Sequence, residues 1–150
     1  MRTLSAFAPP FAAPLAAPFA VLAFSASAAL AGPAEDLARA RVAAIAAGDL
    51  VAVTGVYAPG AQLHWIGGPL DGTYAGPEAL TAVWSKFAAA QGPQQASIAA
   101  ISEAANPKGA TVTADVTFAG KAKVGVRYVL VYREGSLVDE VWQVKPAAAR

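Results

Sequence analysis

Few side chains in this sequence are placed to move a proton. The only histidine, His64, stands between Leu63 and Trp65 in the apolar run Ala61 to Ile66. Histidine titrates near neutral pH and is the natural general base. Strand neighbours point to opposite faces, so if Leu63 and Trp65 face inward, His64 faces outward. Further on, Val126, Tyr128, Leu130 and Tyr132 alternate with Arg127, Val129, Val131 and Arg133. If Tyr128 faces the interior, the matching face of the last run carries Val138, Glu140, Trp142 and Val144. Glu140 is then a lone carboxylate on an apolar face, where loss of water disfavours charge and can tune a general acid or base. Tyr128 is placed to give a ligand oxygen a hydrogen bond, or to be a core tyrosine whose hydroxyl reaches the rim. Two other readings of Glu140 stand beside the catalytic one. A one-residue slip turns it to solvent and Asp139 inward, and an ion pair with Arg41 makes it structural. Trp65, Tyr74, Trp84, Leu130 and Trp142 are the candidates to line a pocket for a small apolar or amphipathic molecule. Large side chains at these spacings also make ordinary core, above all Trp84, which lies in a helical stripe.

Other chemistries lack their residues. Without cysteine there is no thiolate nucleophile and no disulfide. One histidine and scattered acids make no metal cluster, and neither metal nor cofactor is expected. Ser, His and Asp occur without a nucleophile-elbow motif. Gly67-Gly68 and Asp71-Gly72-Thr73 are not followed by the Gly-Lys-Ser/Thr of a phosphate loop. Beyond residue 31 the 10 Asp and Glu are matched by Lys and Arg with no basic run, so no nucleic-acid partner is expected.

Residues 1–31 differ from the rest. Arg2 is their one charge, Phe19 to Phe24 is an apolar core, and Ala26-Ser27-Ala28 and Ala29-Leu30-Ala31 both have small-x-small spacing. This reads as a secretory signal peptide, leaving residues 32–150 as one periplasmic or secreted domain. Pro9, Pro10, Pro14 and Pro18 interrupt the ~20 apolar residues that an uncleaved span needs, so no stable membrane span is expected after cleavage. A domain of this length without disulfides is held by its core.

The elements that must position these side chains follow from periodicity and punctuation. Pro33 to Ala47 reads as a helix with Leu37, Ala38, Val42 and Ile45 on one face, closed by Gly48. Asp49 caps a short helix, Leu50 to Tyr57. After the strand Ala61 to Ile66 comes a Gly/Pro-rich loop. A third helix opens at Pro77, buries Leu80, Val83, Trp84 and Phe87, and closes at Gly92-Pro93. Strands are expected in Gln94 to Ala105, Thr111 to Phe118, Val124 to Arg133 and Leu137 to Val144. The fold class is α+β: three helices on the concave face of a curved, cone-shaped antiparallel sheet. The outer face, with Arg127, Val129, Val131 and Arg133, is open to pairing with a second copy as a homodimer.

Helix, Gly48-Asp49, short helix, Tyr57-Ala58-Pro59-Gly60-Ala61 and strand, in that order, resemble the opening of the nuclear transport factor 2-like superfamily, in particular its SnoaL-like branch. Gly68, Gly72 and Gly76-Pro77-Glu78-Ala79-Leu80 match the loop before that family's third helix. The usual A-D-D-A is Ala58-Pro59-Gly60-Ala61 here, without its acids. The resemblance covers residues 34 to 145 and implies a cone with an apolar pocket. It names no reaction, because members include isomerases, cyclases, dehydratases, hydrolases and proteins that only bind. Where ketosteroid-isomerase-like members keep a carboxylate base this chain has Trp65. Their oxyanion-hole tyrosine falls near Arg41 and their protonated aspartate near Tyr128, which argues against that mechanism. Arg127 and Asp139, which an epoxide-hydrolase-like site would use, belong to the outer face. Scytalone-dehydratase-like members use two histidines. The reading is an exported domain that binds a small molecule, with acid–base catalysis by Glu140 and Tyr128 as the enzymatic alternative and dimerisation without catalysis as another.

Overall fold

Proline and glycine bound the two long helices. The computed structural model describes residues 32–147, so the expected signal segment lies outside the described residues. Helix α1 (Pro33–Ala47) starts at a proline, where a missing N–H costs nothing. It stops at Gly48, whose φ of 70° lets its N–H reach the carbonyls of Ala44 and Ile45. The Asp49 carboxylate then accepts the Ala52 N–H and starts α2 (Leu50–Thr54). Helix α3 (Pro77–Gln91) repeats the pattern, with Pro77 at its first turn and Gly92 after its end.

The remaining elements are β1 (Tyr57–Ile66), β2 (Gly72–Ala75), β3 (Gln95–Asn106), β4 (Gly109–Ala119), β5 (Lys123–Arg133) and β6 (Ser136–Val144). They form one six-stranded sheet in the order β2-β1-β6-β5-β4-β3. Every described pairing is antiparallel except β1 with β6, which is parallel. The expected α+β architecture is present. No helix among the described residues is long and apolar enough to cross a membrane.

Several expectations need correction. The second helix ends at Thr54 rather than Tyr57, because β6 captures the chain there: Leu137 donates its N–H to the Val56 carbonyl, and Tyr57 pairs with Leu137. Strand β1 therefore begins at Tyr57, not Ala61, with a register shift across Pro59-Gly60. The Gly/Pro-rich loop contains β2, four residues paired antiparallel to His64 and its neighbours. Strand β3 hid its alternation because its register shifts between Ile98 and Ala100, leaving Ile98 and Ile101 on the same, partly buried side.

Inside the cone, side chains from β1, β4, β5, β6 and α3 fill the space. Trp142 is fully buried, with ring centroids of Trp65, Trp84, Phe87, Phe118 and Tyr128 at 4.9, 5.2, 5.3, 5.1 and 5.0 Å. Trp142 meets Phe118 stacked and the other rings tilted or edge-on, arrangements that suit the quadrupole of aromatic rings. Leu37, expected in the buried stripe of α1, is 39% exposed. Ala34 and Arg41 are buried with Ala38, Val42 and Ile45 instead.

Candidate functional site

Helix α1 buries an arginine one turn from Ala38 and Ile45, and the sheet supplies its counter-charge. Arg41 is 4% exposed and Glu140, on β6, is 0% exposed. Arg41 Nη2 donates to both oxygens of Glu140 at 3.0 Å, and Nε reaches Oε1 at 3.1 Å. Nη1 donates to the Val53 carbonyl at 2.7 Å, which ties α2 to the pair. Tyr128, on β5, accepts from Arg41 Nε at 2.7 Å and donates to Glu140 Oε1. Tyr57, at the start of β1, accepts from Arg41 Nη2 at 2.7 Å and from Trp84 Nε1 at 2.8 Å, and donates to Glu140 Oε2 at 2.5 Å. The guanidinium carbon also lies 4.8 Å from the Tyr57 ring centroid and 5.4 Å from that of Trp84. Six elements, α3 through Trp84 among them, thus converge on one guanidinium–carboxylate pair.

Burial opposes the charge on Arg41, but Glu140 and the two phenols outweigh it and hold the guanidinium protonated, its pKa raised. Charge-assisted bonds of this kind are the strong ones, and a buried pair is tolerable only when so satisfied. The ion pair with Arg41, one of the readings open for Glu140, is present. The one-residue slip is not: Glu140 faces in and Asp139 is partly exposed. Val138, expected inward with Glu140, is only half-buried, and Leu137 is fully buried in its stead. A register shift between Val131 and Tyr132 separates the two halves of β6.

Burial, then Glu140's negative charge, raises the Tyr57 hydroxyl above the ordinary phenol range, and burial does the same for Tyr128. Burial pushes Tyr132 up to about 12. Free phenols ionise near pH ~10. Above that pH the unfolded chain has lost protons that the folded one keeps, so stability falls as pH rises. Urea midpoints are expected to be level from neutral pH to about 9.5. They should then fall as the unfolding free energy drops by up to about 1.4 kcal/mol per pH unit for each such phenol. An unchanged midpoint between pH 8 and pH 11 would contradict this.

The other expected site residues are dispersed. His64 faces outward, as the alternation implies. Its Nε2 lies 3.1 Å from Asp139 Oδ1, and its Nδ1 lies 3.3 Å from Thr73 Oγ1. Trp65, Trp84, Leu130 and Trp142 are buried in the core. Tyr74 donates its hydroxyl to the Leu70 carbonyl at 2.7 Å. Arg127 is on the outer face, paired with Asp115. Among the described residues no group of His, Asp and Glu is placed to hold a metal.

Tyr57, expected at the end of the second helix, joins the polar network to the surface. It lines a cleft of about 610 Å³ between α2, the start of β1 and the start of α3. Val51, Pro59, Ala61, Pro77 and Leu80 make its walls largely apolar, and Gly55, Gly60 and Gly76 lie along it. A Cβ at Gly60 or Gly76 would meet nothing within 4 Å, so these glycines serve their positive φ of 79° and 86°. The cleft forms where α2 packs against α3, two elements that β1 and β2 separate in the chain.

The SnoaL-like domain model matches residues 38–134. No curated protein matches the chain. Among solved structures, an NTF2-like protein of unknown function from Pseudomonas putida KT2440 superposes with a TM-score of 0.65 at 18% identity, covering 77% of this chain and 86% of that one. An NTF-2 like protein of unknown function from Burkholderia xenovorans LB400 gives 0.58 at 18%, covering 77% and 85%. A de novo designed protein with a curved β-sheet gives 0.57 at 16%, covering 74% and 84%. At such identities the likeness is one of fold. With that fold in place and the family model spanning α1 to β5, the chain belongs to the SnoaL-like domain family and has the nuclear transport factor 2-like architecture.

Proposed function

We propose that this protein binds a small apolar or amphipathic molecule in the cleft beside Tyr57, without turnover. The observation that carries the proposal is the pairing of a filled cone with that cleft. The interior that would take a ligand is occupied by Trp65, Trp84, Phe87, Phe118 and Trp142, whereas the cleft offers about 610 Å³ with mostly apolar walls. Pockets of this size and lining suit drug-sized ligands. The absence of turnover is argued from the network: each Glu140 oxygen already accepts from Arg41 and a tyrosine.

The proposal includes export and a homodimer. Export rests on the leader-like residues 1–31. Dimerisation rests on the outer face, where Val129, Val131 and Val141 are half-buried and Ile66 is 45% exposed. The test uses protein recovered from the periplasmic fraction, checked by intact mass for a start near Gly32 and by light scattering for a dimer. It is titrated with the neutral fluorophore N-phenyl-1-naphthylamine. Thr81 is exposed at the cleft, so Thr81→Trp should fill it and weaken binding at least about tenfold with the melting temperature held, a loss of ~1.4 kcal/mol. Equal affinity in the two proteins would remove the cleft from the proposal.

One observation favours the acid–base alternative. Tyr57 borders the cleft, and its hydroxyl is 2.5 Å from Glu140 Oε2, a proton path from a ligand to a carboxylate. Under that reading Tyr57→Phe abolishes turnover of a bound substrate while affinity stays. A substrate turned over equally by both proteins would exclude it.

A further inference from the structure

The chain enters α1 through Gly32, and β3 places a carboxylate against that glycine. A Cβ at Gly32 would lie 2.5 Å from Glu103 Oε1 and closer still to Oε2 and Cδ. The backbone does not ask for glycine here, since its φ of −75° and ψ of 163° are ordinary extended values. What the position needs is room for the carboxylate. Glu103 Oε2 accepts the Glu35 N–H at 2.7 Å, which ties the first turn of α1 to β3. Among the described residues Oε1 accepts from no donor, and Glu103 has no cationic partner. The neighbouring acid Glu35 is already paired with Arg39. A backbone nitrogen and a Cβ on the same Cα are ~2.5 Å apart, so the Gly32 nitrogen lies within about 5 Å of Oε1.

We infer that Glu103 receives a new chain terminus: the Ala31–Gly32 bond is cut, and the ammonium left on Gly32 pairs with this carboxylate. The inference rests on the export reading above and adds to it the bond that is cut and the group that holds the product. Hydrolysis by a signal peptidase consumes one water, whose oxygen goes to the Ala31 carboxylate and whose two protons go to the Gly32 nitrogen. Ala29-Leu30-Ala31 supplies the small residues such a peptidase requires at the first and third positions before the bond. Charge gives the carboxylate its purpose. The start of α1 is the positive end of the helix dipole, so a bare ammonium beside it is unfavourable and a carboxylate is favourable. Glu103 supplies that carboxylate from another element, so the pair also fastens the start of α1 to β3. A cut after Ala28 instead would put the ammonium on Ala29, up to ~10 Å of chain away, and leave an uncharged amide against Glu103.

The full-length chain is expressed with export, and the periplasmic protein is weighed intact. Residues 32–150 are expected. A chain starting at Ala29 overturns the inference and leaves export standing, whereas an uncut chain in the cytoplasm removes both. Pairing is then read from urea midpoints at neutral pH. Ala31→Leu places a large side chain beside the bond and moves the cut to follow Ala28, giving a reference chain that starts at Ala29. The chain starting at Gly32 is expected to have a midpoint higher by about 0.2–0.5 M, the worth of a partly exposed ion pair at ordinary denaturant sensitivity. Glu103→Gln lowers both midpoints by weakening the bond to Glu35, and it should also close the gap between them. Glu103 acting only as a helix cap would leave no gap to close. Selective acetylation of the Gly32 amine removes the charge without Ala31→Leu. It should lower the midpoint of the parent and leave that of Glu103→Gln unchanged. The inference is overturned if the two chains have equal midpoints, or if the gap or the effect of acetylation survives in Glu103→Gln.

Discussion

Replacing Arg41 by leucine is expected to destabilise the fold by about 3–5 kcal/mol, the usual effect of leaving a buried charge without its partner. The loss is large here because one guanidinium serves so many groups. Without it Glu140 stays 0% exposed, Tyr57 and Tyr128 lose a donor, and the Val53 carbonyl that ties α2 to α1 is left bare. Adding Glu140→Leu to the same chain should restore most of the loss, since a buried pair is often no better than apolar residues of similar volume. Urea denaturation of the two variants beside the parent measures both steps. If Arg41→Leu alone costs less than about 1 kcal/mol, the pair behaves as an exposed bridge would, and the network is not what holds α1 and α2 to the sheet. The double variant also bears on ligand binding. A cleft that needs only its apolar walls should keep its affinity, whereas one that relies on the Tyr57 hydroxyl should not.

Trp142→Ala is expected to lose about 3–5 kcal/mol as well, by a different route: an emptied core rather than a stranded charge. Trp142 packs against Trp65, Trp84, Phe87, Phe118 and Tyr128, rings that cannot close in far without breaking their own contacts. The space should therefore persist, apolar and able to take a flat hydrocarbon. Added indole is expected to raise the melting temperature of Trp142→Ala more than that of the parent, where the cleft is open to it. An equal gain in the two proteins would mean that indole does not enter the space left by Trp142.

Much of the scaffold was legible in the residues because local chemistry decides it. Pro33 and Gly48 bound α1, and Pro77 and Gly92 bracket α3, whatever the rest of the chain does. Strict alternation in Thr111 to Phe118 and Val124 to Arg133 found β4 and β5. The elements that escaped were those whose conformation is imposed by a neighbour. Strand β2 is four residues with turn-like composition, held extended by pairing with β1. Tyr57 fits a helical stripe, yet pairs with Leu137 because β6 runs alongside.

The candidate site divides the same way. Alternation sent His64 outward and allowed Glu140 inward, and an ion pair with Arg41 was one of the readings left open for Glu140. It could not find the bulge that puts Leu137 rather than Val138 in the core, because a bulge depends on the pairing of two strands. Sequence by itself determined the order of the elements other than β2 and the faces of the regular strands, since these follow from side-chain period and from turn and cap residues, and its motifs carried the resemblance to the family. Tertiary structure decided that Arg41, Tyr57, Trp84, Tyr128 and Glu140 meet, that aromatic rings fill the cone, and that a cleft opens between α2 and α3. Those outcomes depend on distances between residues up to 99 positions apart, and no local rule of spacing contains them.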